Sequence, residues 1–328
     1  MCGMVDVRLN VYRLVFKSVF RRVIIVEFFK RQTHINFLGL QRWAVALSLL
    51  LLLISLGSLL MNGLHWGLDF TGGSQLQISF NQAVELPALR QELQQAGFKD
   101  ALVQSYGTSH DVLISLATKE ASQHNLAAQI LKVLPNAHLK QLEFIGPQVG
   151  HELATQGALA IFIALLGIMI YIALRFEYRF ALGAAVALIH DPVLILGVFS
   201  LFHIEFNLTA VAAILAVIGY SLNDTIVIFD RIRENFRKLR KKSAVEVVNL
   251  SINQTLSRTI MTSATTLVVV LSLCIFGGAM IHSFALALVI GIVVGTYSSI
   301  YVAGALAVAV GLDRRHFLPA VKEVDSRP

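Results

Sequence analysis

Charge is scarce in this chain: 14% of its 328 residues are Asp, Glu, Lys or Arg, against 56% hydrophobic residues and a mean hydropathy of +0.70. That balance cannot cover two soluble domains with a water-exposed surface, so most of the chain has lipid as its solvent. Cysteine is scarcer still. Cys2 lies in a basic N-terminal segment and Cys274 inside an apolar run, which leaves no pair for a disulfide framework. No nucleotide-binding glycine loop is present, which excludes direct use of ATP. His110, His124, His138 and His151 lack metal-ligand spacing, and no Ser or Cys has a nucleophile's surroundings. The expectation is therefore a chain that is not an enzyme, with no cofactor and no metal. No basic patch interleaved with aromatics accompanies the net charge of +7, so nucleic acid is not an expected partner and anionic membrane lipid is.

What the chain has in quantity is long apolar runs. Six, at 43–61, 156–174, 181–202, 208–229, 259–280 and 284–311, approach the roughly 20 residues that cross about 30 Å of hydrocarbon as a helix. Backbone polar groups have no partner in lipid except within a helix or closed barrel, so each run is read as a helix with its connections outside. The basic residues agree. Of 27 Lys and Arg, eight precede the first run, two lie in 175–180, eight in 230–258 and four after the last run. Five fall in the long segment between the first two runs, which carries eight acids. By the positive-inside rule both termini are cytoplasmic and that long segment lies outside.

The domain reading follows: 1–42 a cytoplasmic basic amphipathic N-terminal segment, 43–62 transmembrane helix 1, 63–154 an outside α+β domain, 155–311 a five-helix transmembrane domain, 312–328 a cytoplasmic tail. In 5–29, Val11, Val15, Val19 and Val23 recur at helical spacing with Arg13, Lys17, Arg21 and Arg22 between them. Two readings stand, an interfacial anchor and an extension upstream of the true start. The first run lacks a small-residue cleavage site and reads as a retained signal anchor. Between the first two runs, strand patterns at 75–80, 101–106, 112–116 and 139–145 alternate with helix patterns at 87–96 and 124–134. The order βαββαβ is ferredoxin-like. The expected fold class is thus an α-helical polytopic membrane protein of six transmembrane helices, 1+5, with a small α+β domain between helices 1 and 2.

Two acids fall within the apolar runs, Asp191 and Asp224, where an ionised carboxylate costs roughly 2.5 to 3.5 kcal/mol even on the lenient insertion scale. Asp224, in Gly219-Tyr220-Ser221-Leu222-Asn223-Asp224-Thr225, is placed to gain and lose a proton; a structural hydrogen bond to a neighbouring helix is the plainer reading. Arg258 opens the fifth run with Thr255, Thr262 and Thr265 on its helical face, at a depth comparable to Asp224. It can pair with Asp224 or snorkel to the headgroups. Asp191 precedes Pro192, so its carboxylate either caps a helix restarted after a kink or supports function. Ser283, Ala287, Gly291, Gly295, Ser299, Ala303 and Ala307 put a small residue at every fourth position of the sixth run, a close-packing pattern.

These residues resemble the SecF family, the smaller membrane subunit of the bacterial SecDF protein-export complex, with a resistance-nodulation-division type fold. The matches are Gly67-Leu68-Asp69-Phe70-Thr71-Gly72-Gly73, Gly146-Pro147 with Val149-Gly150, Arg175-Phe176-Glu177, His190-Asp191, and the stretch from Ile218 to Asn235. The long basic N-terminus and Pro192 depart from the pattern. The resemblance implies a proton-motive-force-coupled auxiliary of the Sec machinery that helps exported chains move and release on the periplasmic side. It implies a bacterial inner membrane location, SecD, the SecYEG channel and YajC as partners, and exported unfolded polypeptide as substrate. It assigns the proton pathway to Asp224 and Arg258; Asn223, Thr262 and Asp191, by their own places in and beside the runs, are candidate supporting polar residues. Gly67, Asp69, Phe70, Gly72, Gly73, Gly146 and Pro147 become structural motif residues, while Gly291 and Gly295 are helix-packing residues by the small-residue spacing of the sixth run. The rival class is a small-molecule or lipid exporter subunit of the same fold.

Overall fold

The computed structural model describes residues 33–98, 101–106, 108–116, 123–239 and 241–312. The amphipathic segment expected over 5–29, Cys2 and the tail after Leu312 lie outside the described residues, as does the side chain of His124. Among the described residues six helices are long and apolar enough to cross a membrane: Leu38–Asn62, Pro147–Arg175, Tyr178–Leu201, Leu208–Lys238, Ala244–Phe276 and Ile281–Ala309, here the first to sixth spans. The shortest has 24 residues. At 1.5 Å per residue it reaches about 36 Å, enough for the hydrocarbon.

Local chemistry sets the ends of these helices. Pro147 occupies the first turn of the second span, where its missing N–H is harmless. Asn207 caps the fourth, its side chain accepting from Ala210 N at 3.0 Å. Ser243 and Glu246 form a reciprocal capping box on the fifth. That box starts the fifth helix well before the apolar run at 259. The added turns are polar and useful: Asn253 and Asn249 accept from the backbone N–H of Ile35 and Leu38 at 2.9 and 3.0 Å, fastening the entry to the first span. Hydropathy marks the part of a helix that lies in lipid, whereas its ends are decided by caps.

Between the first two spans, β2 (Gly73–Phe80), β3 (Leu102–Tyr106), β4 (Thr108–Leu116) and β5 (Ala137–Ile145) form an antiparallel sheet in the order β3-β4-β2-β5. The helices Leu86–Gln95 and Gln123–Val133 complete the split βαββαβ arrangement. Alternation does the sorting. Leu76, Ile78, Val112 and Ile114 are buried with Leu89, Leu93 and Ile130 from the helices, while Gln75 and Gln77 take the opposite face. A bulge between Gln77 and Ile78 shifts the β2–β5 register. Two short strands that the alternation pattern does not announce, β1 (His65–Trp66) and β6 (Glu205–Phe206), pair in parallel and join the end of the first span to the entry of the fourth.

In the membrane part, the third, fourth and sixth spans share one core with Phe180, Phe199 and Phe229 fully buried. Gly183, Gly291 and Gly295 admit the close approach of neighbouring helices: a Cβ on Gly295 would lie 2.9 Å from Ser221 Cβ, and one on Gly291 would run into Val217. The third span continues through Pro192 to Leu201 without a restart, so the capping role weighed for Asp191 is absent. The sixth span changes pitch, with a π-helix over Ser299–Ala303 between its α-helical parts.

Candidate functional site

Two polar regions stand out, one at a joint outside the core and one within it. The joint is built on Gly67 to Gly73. Leu68–Thr71 is one helical turn between two glycine turns. Gly72 has φ +68, and a Cβ there would lie 2.7 Å from Pro147 Cα, so conformation and space both demand glycine. Gly146 and Pro147, which open the second span, thereby pack directly on the start of the small domain. Asp69 Oδ2 accepts from Leu208 N at 2.7 Å and caps the fourth span from another segment, where the helix dipole favours a negative charge. Phe70 stacks on Phe206 at 5.8 Å and meets Trp66 edge-on at 5.6 Å. Four parts of the chain meet here: the end of the first span, the small domain, and the starts of the second and fourth spans.

Beside this joint, a cavity of about 880 Å³ opens between the Gln75, Gln77 and Gln104 face of the sheet and the β1–β6 pair at His65 and Glu205, with His203 just before it. Burial, reinforced by the Asp69 carboxylate, pushes the Glu205 carboxyl above its ordinary value, against hydrogen bonds from Gln104 and Leu68. Burial and the neighbouring His203 push His65 below its ordinary value; the two rings lie 4.6 Å apart.

The inner region holds the acids. Asp224 is 3% exposed, and its Oδ2 has no hydrogen-bond partner among the described residues. Arg258 exerts the charge that acts on it from the fifth span, yet the two form no ion pair. Arg258 and Asn223 are exposed on the outer surface of the chain. The threonine face expected around Arg258 is divided. Thr255 is buried, Thr265 is exposed, and each threonine donates to carbonyls of its own helix, Thr262 to Arg258 O at 3.1 Å and Thr259 O at 2.9 Å. Asp191 is 1% exposed and lies among donors: Ser221 Oγ at 2.5 Å, Ser298 Oγ at 2.8 Å and His190 Nδ1 at 2.9 Å. Ser221, Ser298 and the β1–β6 pair carry no sequence pattern that marks them as bonding groups. Serines inside apolar runs were the available signal, and which of them bond across helices depends on helix rotation.

Fold and site together define a polytopic helical membrane protein with a small α+β domain after its first span and carboxylates buried among its helices. Residues 125–313 match the model of the protein export membrane protein SecD/SecF C-terminal region, and residues 57–84 match the SecD/SecF GG motif. The protein translocase subunit SecF of Escherichia coli is 47% identical over 290 residues, covering 86% of this chain and 90% of that protein. The SecF of Pseudomonas aeruginosa is 46% identical over 299 residues, covering 90% and 98%. The crystal structure of SecDF, a translocon-associated membrane protein from Thermus thermophilus, superposes with a TM-score of 0.76 at 38% identity, covering 85% of this chain. This chain spans 39% of the length of that SecDF chain. A SecDF structure in the super-membrane-facing form gives a TM-score of 0.65. The chain belongs to the SecF family of protein translocase subunits.

Proposed function

We propose that this chain, an auxiliary subunit of the Sec protein-export machinery, couples proton movement at Asp224 to the small α+β domain. The observation that carries this is the unpartnered oxygen of a 3% exposed carboxylate inside a membrane span, within the field of Arg258. Each elementary charge crossing 100 mV supplies about 2.3 kcal/mol, enough to bias a two-state motion. The route to the small domain is short in connectivity: Asp224 lies on the helix whose first turn is capped by Asp69 of the joint. Movement of the fourth span is thereby transmitted to the base of the domain.

In this reading the chain sits in the bacterial inner membrane with both termini cytoplasmic and the α+β domain periplasmic, where it helps an exported polypeptide move and release. The likeness to SecDF supports SecD as a partner, which the exposed Arg258 and Asn223 are free to meet, and SecYEG and YajC follow as partners of the assembled complex. Asp224→Asn keeps the shape and removes the titration. Export of a secretory protein with and without a proton gradient should then lose its gradient-dependent component while membrane insertion and partner assembly persist. Undiminished gradient-dependent export from that variant rejects the proposal.

A further inference from the structure

A fully buried polar cluster lies where the third, fourth and sixth spans meet, and Asp191 is its centre. Its Oδ2 takes hydroxyl donors from two other helices, Ser221 at 2.5 Å and Ser298 at 2.8 Å, and its Oδ1 pairs with His190 Nδ1. Hydrogen bonds to a charged group are among the stronger ones available, and in a membrane interior the alternative is a bare carboxylate. Asp191 therefore binds three helices at one level.

Three observations give this cluster a role beyond packing. Ser221 precedes Asp224 by three residues on the fourth span, so the two share a helical face and the bond that holds Ser221 holds the turn presenting Asp224. The sixth span departs from α geometry immediately after Ser298, at the π-helix Ser299–Ala303. A π turn is an extra residue in the helix, and its return to α pitch rotates the residues beyond it by roughly one residue's share of a turn. The third span is fitted to this turn: a Cβ on Gly183 would lie 2.6 Å from Ala303 O. Finally, His190 Nε2 on the third span, Asp224 Oδ2 on the fourth and Thr259 Oγ1 on the fifth are buried without partners among the described residues, so these helices retain unused bonding positions for a second arrangement.

We propose that Asp191 is a positioning residue which, through Ser221 and Ser298, latches the fourth span to the third and sixth and so sets the rotation of Asp224 toward Arg258. This rests on the proton-coupled reading of Asp224 and deepens it. The titratable or charged groups along the neighbouring stretches of these helices are His190 and Asp191 on the third span, Tyr220 and Asp224 on the fourth, Arg258 on the fifth and Tyr297 on the sixth. Tyr220 is bonded to Ser263, and Tyr297 donates to Ala44 O. Release of the latch leaves Asp224 chemically intact but changes its distance from Arg258, so proton uptake shifts along the pH axis.

The test reconstitutes the complex containing this chain into liposomes enclosing a pH-sensitive dye and records proton uptake as a function of external pH. Ser221→Ala, which removes one hydroxyl and leaves the packing, should displace the half-maximal pH measurably, by up to about one unit, the ceiling reached if the whole tenfold effect of one hydrogen bond to a charged group is passed from Asp191 to Asp224. Asp191→Leu should displace it at least as far, and Asp191→Asn, which keeps a carbonyl oxygen for the two hydroxyls, should restore it. An unmoved midpoint in Ser221→Ala overturns the latch. Loss of uptake in Asp191→Asn as complete as in Asp224→Asn overturns it too, because Asp191 would then carry the proton itself. Asp224→Asn separates the two claims: persistent uptake there rejects the proton-coupled reading, whereas its loss with an unmoved Ser221→Ala midpoint rejects the latch alone.

Discussion

Phe180 and Phe199 of the third span and Phe229 of the fourth are fully buried, whereas Phe162 of the second and Phe276 of the fifth stand 63% and 85% exposed. The same residue type, in helices of similar hydropathy, has protein as its solvent in one group and an open face in the other. What differs is the company. The inner helices carry glycine and serine where backbones approach: Gly183 on Ala303, Gly291 on Val217, Gly295 on Ser221. The exposed stretches of the outer helices present branched and aromatic side chains such as Leu159, Phe162, Val268, Val269 and Ile275. With apolar surface on every side, small residues that permit contact and hydroxyls that bond across it decide which helices meet.

The strongest way to break this comparison is to give an inner contact an outer residue. Gly295→Leu must displace Ser221 or the sixth span, and overpacking there should lower stability by about 3 kcal/mol, read as a fall in the thermal unfolding midpoint of the detergent-solubilised chain. Assembly at wild-type stability would mean that the contact is dispensable. Next in size is the cap that joins the base of the small domain to the fourth span: Asp69→Ala removes the acceptor of Leu208 N and should cost about 1 kcal/mol, measured in the same way.

A smaller effect is expected from pH. The Glu205 carboxyl is raised above 4.5, so between that value and its raised one the folded state holds a proton that the unfolded state has lost, and stability falls as pH rises through the window. His65 acts in the opposite sense: held below 6.5, it stays neutral in the folded state while the unfolded state takes up a proton, and stability falls as pH drops through 6.5. Unfolding midpoints followed against pH should lose the first dependence in Glu205→Gln and the second in His65→Gln. The smallest effect belongs to the outer face. Val269→Ala, at a residue 68% exposed, should change the midpoint by less than about 0.5 kcal/mol equivalent, and a loss comparable to Gly295→Leu would erase the distinction between the two groups of helices.

Much of the architecture was legible in the residues. The six spans and the alternating helix and strand patterns between the first two emerge from periodicity, because lipid and a two-layer core each impose a simple spacing on apolar side chains. Asp224 and Asp191 drew notice for one reason, the cost of charge in hydrocarbon. Their surroundings were not legible in the same way. Spacing allows Arg258 either to pair with Asp224 or to snorkel, and in the fold it is exposed with no ion pair to Asp224; the carboxylate ringed by donors is Asp191, bonded by Ser221 and Ser298 rather than capping a restarted helix.

The β1–β6 ladder escaped because two-residue strands carry no period, and Asp69 escaped as a cap because Leu208 lies 139 residues away. Composition, hydropathy and local spacing by themselves determined that this chain is a six-span membrane protein with a small α+β insert and two costly acids. Those properties depend on the solvent each residue prefers and on neighbours within one helical turn. Only the tertiary structure decided which helices form the centre, which acid is satisfied and which retains an open oxygen, and how the joint at Gly67 to Gly73 meets the fourth span. Those depend on the rotation of each helix about its axis and on contacts between distant segments, which apolar patterning in a lipid-facing chain does not encode.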